Sequence, residues 1–262
     1  MRHSETIHIV LLSFFVIHNY RDTIMRKSLL ALSVLATTVA IPAQAENLYT
    51  WGNMNINYLD WSNSSNDGGK DDFAYLEFEG GAGFDWGELY GFLDLEGQKD
   101  SMAASSKGSI TYKTGLGELR LYGQTYSTEN LGWHVRNTVA GVSYNFSGEQ
   151  WFFNPFIGAH YTNTNGFSDM NGGMAGWVTG YNFNLGEQSF SISNWNEMEF
   201  ARDSAYTALS GETDDISFNG AVAFWWNATK HITTGIQYRY ADNKLGQGDL
   251  DDAIIYTLKY NF

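Results

Sequence analysis

The sequence predicts an all-β protein that closes into an antiparallel transmembrane β-barrel of about 12 strands, and three observations carry that prediction. The chain ends in a stretch whose side chains alternate. Ile254, Tyr256, Leu258, Tyr260 and Phe262 fall on one side, and Ile255, Thr257, Lys259 and Asn261 on the other. The apolar face of such a strand calls for lipid, its polar face for water and its edge for a partner strand. Composition is the second observation: two prolines, 28 glycines and 16% aromatic residues. A disordered chain does not carry that aromatic load, whereas strands joined by Gly-rich turns do. The third is that connections between alternating stretches are short and long in turn, as expected of short periplasmic turns and longer outer loops.

Taken in order, the first strand spans 48–61, with Met54, Ile56 and Tyr58 opposite Asn53, Asn55 and Asn57. A polar loop over 62–72 leads to a second strand over 73–83, where Ala74, Leu76 and Phe78 oppose Tyr75, Glu77 and Glu79. After a turn at 84–88, a third strand sets Leu89, Gly91, Leu93 and Leu95 against Tyr90, Phe92, Asp94 and Glu96. The polar stretch 98–108 reads as a loop. Further strands are expected over 109–114, 118–127, 134–146, 151–163, 172–184, 188–200, 215–226, 231–240 and 252–262. Short turns are expected at 115–117, 147–150, 185–187 and 227–230, and longer loops at 128–133, 164–171, 201–214 and 241–251. Trp61, Trp86, Trp151, Trp225, Trp226 and Tyr260 fall near strand ends, where aromatic side chains anchor a barrel at the membrane interface.

The first 45 residues read differently. Met25-Arg26-Lys27, an apolar stretch from Ser28 to Val39 and the small-residue end Pro42-Ala43-Gln44-Ala45 form a signal peptide over 25–45, too short to span a membrane. Residues 1–24 read as an upstream extension, with Met25 the true start. The barrel then occupies 46–262. The leader holds four of the 15 basic and two of the 29 acidic residues, leaving 11 against 27. So acidic a chain does not bind nucleic acid by neutralising phosphates. With no cysteine, disulfides, thiol catalysis and thiolate metal sites are excluded.

If the apolar faces meet lipid, the opposite faces line a lumen. The second and third strands then turn Glu77, Glu79, Asp94 and Glu96 inward, together with Tyr75, Tyr90 and Phe92. Arg120, Arg239 and Lys259 also point in, and so does Tyr122. Acids with a few facing cations focus a field across a water-filled pore. Aromatic faces bind rings and polar neighbours bind hydroxyls, so the set suits flat, neutral, polyhydroxylated solutes. The bland reading is a set of internal ion pairs that tie the wall together.

Tyr75-Leu76-Glu77-Phe78-Glu79, Leu89-Tyr90-Gly91-Phe92-Leu93-Asp94 and the terminal Tyr260-Asn261-Phe262 resemble the nucleoside-specific channel-forming outer-membrane proteins, the Tsx-like family with its OmpK-like relatives. The resemblance implies a monomeric barrel in the outer membrane of a Gram-negative cell. It also implies passive, substrate-favouring diffusion of nucleosides or similar small polar solutes, and use as a phage or colicin receptor. It carries over to Glu77, Glu79, Tyr90 and Asp94. The expected surroundings are the lipid bilayer and lipopolysaccharide, and no cofactor, metal or energy source is expected.

Four rival readings have distinct signatures. A soluble lipocalin-like protein would show the same alternation but not the aromatic terminal strand. An outer-membrane hydrolase needs a base beside a nucleophile, yet His134, His160 and His231 stand in no such context. A channel for acidic oligosaccharides wants a lumen of Arg and Lys, which 11 basic residues do not supply. A structural or receptor barrel with a plugged lumen differs from a channel only in conductance. The acidic runs Asp67–Asp72 and Asp249–Asp252 read as a solvated rim rather than a cation site.

Overall fold

The computed structural model describes residues 45–62, 65, 69–97 and 102–262. The upstream extension and, but for Ala45, the signal peptide lie outside the described residues, as does Asp67 of the acidic run. The strands are β1 (Asn47–Trp61), β2 (Phe73–Phe84), β3 (Gly87–Gly97), β4 (Met102–Lys113), β5 (Leu119–Glu129), β6 (His134–Tyr144) and β7 (Phe146–Ser147). They continue with β8 (Trp151–Thr164), β9 (Phe167–Leu185), β10 (Gln188–Phe200), β11 (Ser217–Asn227), β12 (Ile232–Asp242) and β13 (Leu250–Asn261).

Each strand pairs antiparallel with its neighbours, and β1 pairs with β13, so the two ends of the chain close the ring. β7 is a stub that resumes the pairing of β6 with β8 after an interruption at Asn145, which leaves twelve strands around the barrel. Closure satisfies every edge, which lipid requires because it offers no hydrogen bonds to free backbone groups.

The alternation sorts the side chains as the sequence predicts. On β1, Ile56 and Tyr58 are 54% and 45% exposed, while Asn55 and Asn57 are 1% and 2% exposed. On β13, Tyr256 and Leu258 face out while Ile255 and Thr257 are buried. The outer surface is therefore the apolar one and the interior is polar, the reverse of a soluble barrel. One outward segment departs from this. Trp177 Nε1 donates to Asn194 Oδ1 (2.8 Å), Asn196 donates to the same oxygen (2.7 Å), and Asn194 Nδ2 donates to the Ala221 carbonyl (2.9 Å). The amides satisfy one another, so their polarity is not presented bare to lipid.

Three expectations are corrected. The stretch 102–108, expected to be loop, belongs to β4. Its Ser- and Ala-rich sequence lacks the bulky alternation that marks the other strands, and pairing with β3 and β5 on both sides holds it extended. The loop expected over 164–171 is a two-residue turn at Asn165 and Gly166, because β9 begins at Phe167. There the register slips between Ala159 and Tyr161, and Gly172 adopts a left-handed φ of 71° with the carbonyls of Phe200 and Ala201 against it. A side chain at that point would both strain the backbone and collide with it. Thirdly, Trp61 and Trp225 are not interfacial. Both turn inward, Trp61 into a cluster with Leu59, Ala253 and Ile255, whereas Trp151, Trp226 and Tyr260 are exposed on the lipid side.

The two long outer connections are folded. Residues 201–216 hold α1 (Ser204–Ser210), capped by the Asp203 side chain at its start and by Gly211 at φ 78° at its end. Arg202 is ion-paired with Glu212 and, at 3.6 Å, with Glu199, and it donates to the carbonyls of Asp214 (2.5 Å) and Asn243 (3.3 Å). Lys244 pairs with Glu199. Burial works against its charge, but Glu199, Tyr206 and Glu212 outweigh it and hold the ammonium above its ordinary value. Lys70 donates to the Leu245 carbonyl (2.7 Å) and lies 3.5 Å from Asp251, binding the first outer connection to the last.

Facing makes a testable difference at neighbouring positions. Ile236→Arg, on the outward face near the middle of β12, should cost about 2–4 kcal/mol of unfolding free energy. Gln237→Arg, one residue on and inward, should cost much less. Urea unfolding in phospholipid vesicles reads both; equal costs would contradict the assignment of faces.

Candidate functional site

The lumen is assembled from inward residues of all twelve wall positions and is divided in two. Between β5 and β9 it is filled. Val139, Phe156 and Met174 form a buried cluster with Tyr122 against it, the Tyr122 and Phe156 rings stacking at 4.6 Å. Above this, His160 Nε2 and Asn137 Oδ1 lie 3.1 Å apart, Thr162 donates to the same Asn137 oxygen (2.9 Å), and Asn171 donates to Thr162 (3.0 Å). His160, Thr162 and Asn171 are fully buried.

The opposite side, from β11 round to β3, is lined differently. β11 and β13 present the small inward residues Ala221, Ala223, Ala253 and Thr257, with Ile255 packed among them against Leu59 and Trp61. The wall of β2 and β3 continues this side of the ring beyond β1. Cross-strand register puts Glu77 beside Asp94, Tyr75 beside Glu96 and Glu79 beside Phe92. The Glu77 carboxylate accepts from Asn55. Glu79 accepts from Tyr90 (2.8 Å) and Asn53 (3.3 Å) and pairs with Lys259 at 3.3 Å. Glu96 accepts from Ser105 (2.6 Å). Tyr75 packs with Phe73 against the Leu59 and Trp61 cluster.

Rings run up this wall. Trp51, Tyr90, Phe92 and Tyr126 follow one another with centroids 6.1, 6.5 and 6.5 Å apart. Two cations lie over indoles of β10 and β11, Arg239 over Trp195 at 5.2 Å and Lys259 over Trp225 at 4.7 Å. Several buried acceptors, Asn53 Oδ1, Asn55 Oδ1, Asp94 Oδ1 and Asn219 Oδ1, have no hydrogen-bond partner among the described residues. Buried acceptors are normally satisfied, so these are places for water or for the donors of a solute.

The structure brings Tyr75, Glu77, Glu79, Tyr90, Phe92, Asp94 and Glu96 together on one inner wall. Arg239 faces the same space from β12, where it donates to the carbonyls of Gly220 (3.1 Å) and Tyr240. Arg120 is inward and buried but does not join them. It sits by the β4–β5 turn, 3.0 Å from Glu88 and 3.5 Å from Glu118. Sequence reasoning missed Lys107, whose Nζ lies 2.5 Å from Glu197 Oε1, and Gln124, which donates to the same carboxylate at 2.8 Å. Lys107 was hidden by the loop assignment. Glu197 was hidden because its outward neighbours include Asn194 and Asn196. The inward series Ser189, Ser191, Ser193, Trp195, Glu197 and Glu199 held the signal.

The sequence profile of the nucleoside-specific channel-forming protein Tsx matches residues 47–262, the whole barrel. The chain belongs to this family. It is an outer-membrane channel of a Gram-negative bacterium for passive diffusion of nucleosides or similar small polar solutes. Among solved structures, the NanC porin superposes with a TM-score of 0.50 at 11% identity, over 79% of this chain and 98% of that one. The KdgM porin in complex with disordered oligogalacturonate gives 0.48 at 7% identity, over 80% and 99%. The outer membrane channel DcaP of Acinetobacter baumannii gives 0.40 at 10%, over 85% and 99%. The NanC likeness concerns the fold. In a nucleoside channel, an acid-lined wall disfavours anions and leaves neutral solutes to be sorted by stacking and hydrogen bonding.

Glu77→Ala combined with Asp94→Ala should lower cation preference, read as a shift of reversal potential toward zero in a planar bilayer under a salt gradient. An unchanged potential would contradict a lumen position for both carboxylates.

Proposed function

We propose that a nucleoside passes along the β2–β3 wall with its base against Tyr90 and Phe92, while its sugar hydroxyls donate to Glu77, Glu79, Asp94 and the neighbouring Asn53 and Asn55. Tyr75, Glu96 and Arg239 border the path above, and Arg120 acts at the periplasmic end by holding Glu88 and Glu118. The observation that carries this reading is the juxtaposition of unpartnered buried acceptors with an unbroken run of rings. A nucleoside supplies what the wall lacks: a flat face for the rings and hydroxyl donors for the acceptors. Passage needs binding weak enough for release, so no cofactor or energy source enters.

On the same reading the channel is not a catalyst. His134 bonds to an Asn side chain and His231 to the Asn261 carbonyl, while the Thr162 hydroxyl beside His160 donates to Asn137 and not to the ring. The channel works as a monomer after removal of residues 25–45. Its folded outer connections, 201–216 and 243–249, meet lipopolysaccharide and offer the surface for a phage or colicin.

Tyr90→Ala or Phe92→Ala should weaken block of the ion current by adenosine by about 1–3 kcal/mol, the worth of one base on one ring. Current noise in a planar bilayer measures the affinity. Undiminished block in both variants would remove the base from this wall.

A further inference from the structure

We propose that Lys107 and Glu197 form a strut across the lumen that fixes the cross-section of the passage and thereby its solute selectivity. The proposal rests on the channel reading. β4 and β10 are five places apart around the ring in one direction and seven in the other, so they stand on nearly opposite walls. The 2.5 Å contact between Lys107 Nζ and Glu197 Oε1 therefore spans the interior, unlike the Arg120–Glu88 pair on neighbouring parts of one wall. Both side chains are mostly buried, 17% and 13% exposed. Gln124 from β5 donates to the same carboxylate, and Tyr122 donates to Gln124 at 2.5 Å.

The strut runs along the boundary between the two halves of the interior. On one side lies the filled half, with Val139, Phe156 and Met174. On the other lie the small residues of β11 and β13 and the acid and aromatic wall of β2 and β3. A pair of this kind holds two walls at a set separation and keeps a flat solute on the aromatic side. A mostly buried ion pair holds its partners in place only while both are present. Removing either one frees the other to fold back against its own strand, and the cross-section opens.

Ion conductance in potassium chloride and block by adenosine test this together, on protein reconstituted into planar bilayers and checked for heat-modifiable migration. Lys107→Ala and Glu197→Gln should each raise conductance about two-fold or more and weaken adenosine block. The exchange Lys107→Glu with Glu197→Lys should return both to the wild-type values, because the cross-lumen contact is rebuilt with its ends reversed. A pair that merely tied the walls together would lower thermal stability and leave conductance and block unchanged. That result in both single variants, or an exchange that fails to restore conductance, overturns the proposal. Should Lys107→Ala not insert, Glu197→Gln removes the same contact from the other wall with little change of shape. If the single variants conduct more while adenosine never blocks even the wild type, the strut stands and the placement of the base on the β2–β3 wall falls.

Discussion

The pairing of β1 with β13 is the constraint on which the rest depends. In hydrocarbon a strand cannot leave its backbone donors and acceptors free, and an open sheet of this length would have two such edges. Bringing Asn53 opposite Asn261 and Trp61 opposite Ala253 removes both. Once the ring is closed, every strand has one face toward lipid and one toward the interior, and the period of two becomes a statement about solvent rather than about packing alone. The polar side chains that a soluble fold would expose are the ones gathered inside. The lumen, with its carboxylates, amides and rings, is a consequence of closure.

An interior gathered this way must deal with its own charge. The acids of β2 and β3 are met by Lys259 at Glu79 and by amide donors from β1, and the acids of β10 by Lys107, Gln124 and Lys244. What is left unmatched is informative. Acceptors on Asn53, Asn55 and Asp94 remain without protein partners beside the run of rings. The filled half between β5 and β9 is built differently, with side chains that bond one another, as in the His160, Asn137, Thr162 and Asn171 chain. Buried polar atoms without partners also occur in the filled half, at Ser127, Ser143 and His160, so it is the run of rings beside the acceptors that sets the β2–β3 wall apart.

Much of this was legible in the sequence where bulky and polar residues alternate cleanly. β1, β2, β3, β12 and β13 were placed within a few residues, and the set from Tyr75 to Glu96 shares the β2–β3 register. The resemblance to the nucleoside-specific channels rested on the same stretches. Legibility failed where the alternation is muted. In 102–108 the residues are Ala, Ser, Gly and Lys around a lone Met, and short side chains do not declare a face. At 164–171 the polar residues suggested a loop, although hairpin pairing carries β8 and β9 well past them. Trp61 and Trp225 were assigned to the interface by position along the chain, since an indole serves equally well at a membrane boundary or over a lumen cation.

The sequence by itself determined that the chain is a closed barrel, which faces meet lipid, and that acids and rings line the inside. These follow from a period of two and from the intolerance of lipid for unpaired backbone, both local properties of extended chain. Only the tertiary structure decided which inward residues meet. Lys107 and Glu197 are 90 positions apart and touch because strand tilt and register bring β4 and β10 to facing walls at a shared height. Arg120 and Asp94, both inward, are kept apart by that same geometry. Contact across a lumen depends on the stagger summed around the ring, and no segment of the chain carries that sum.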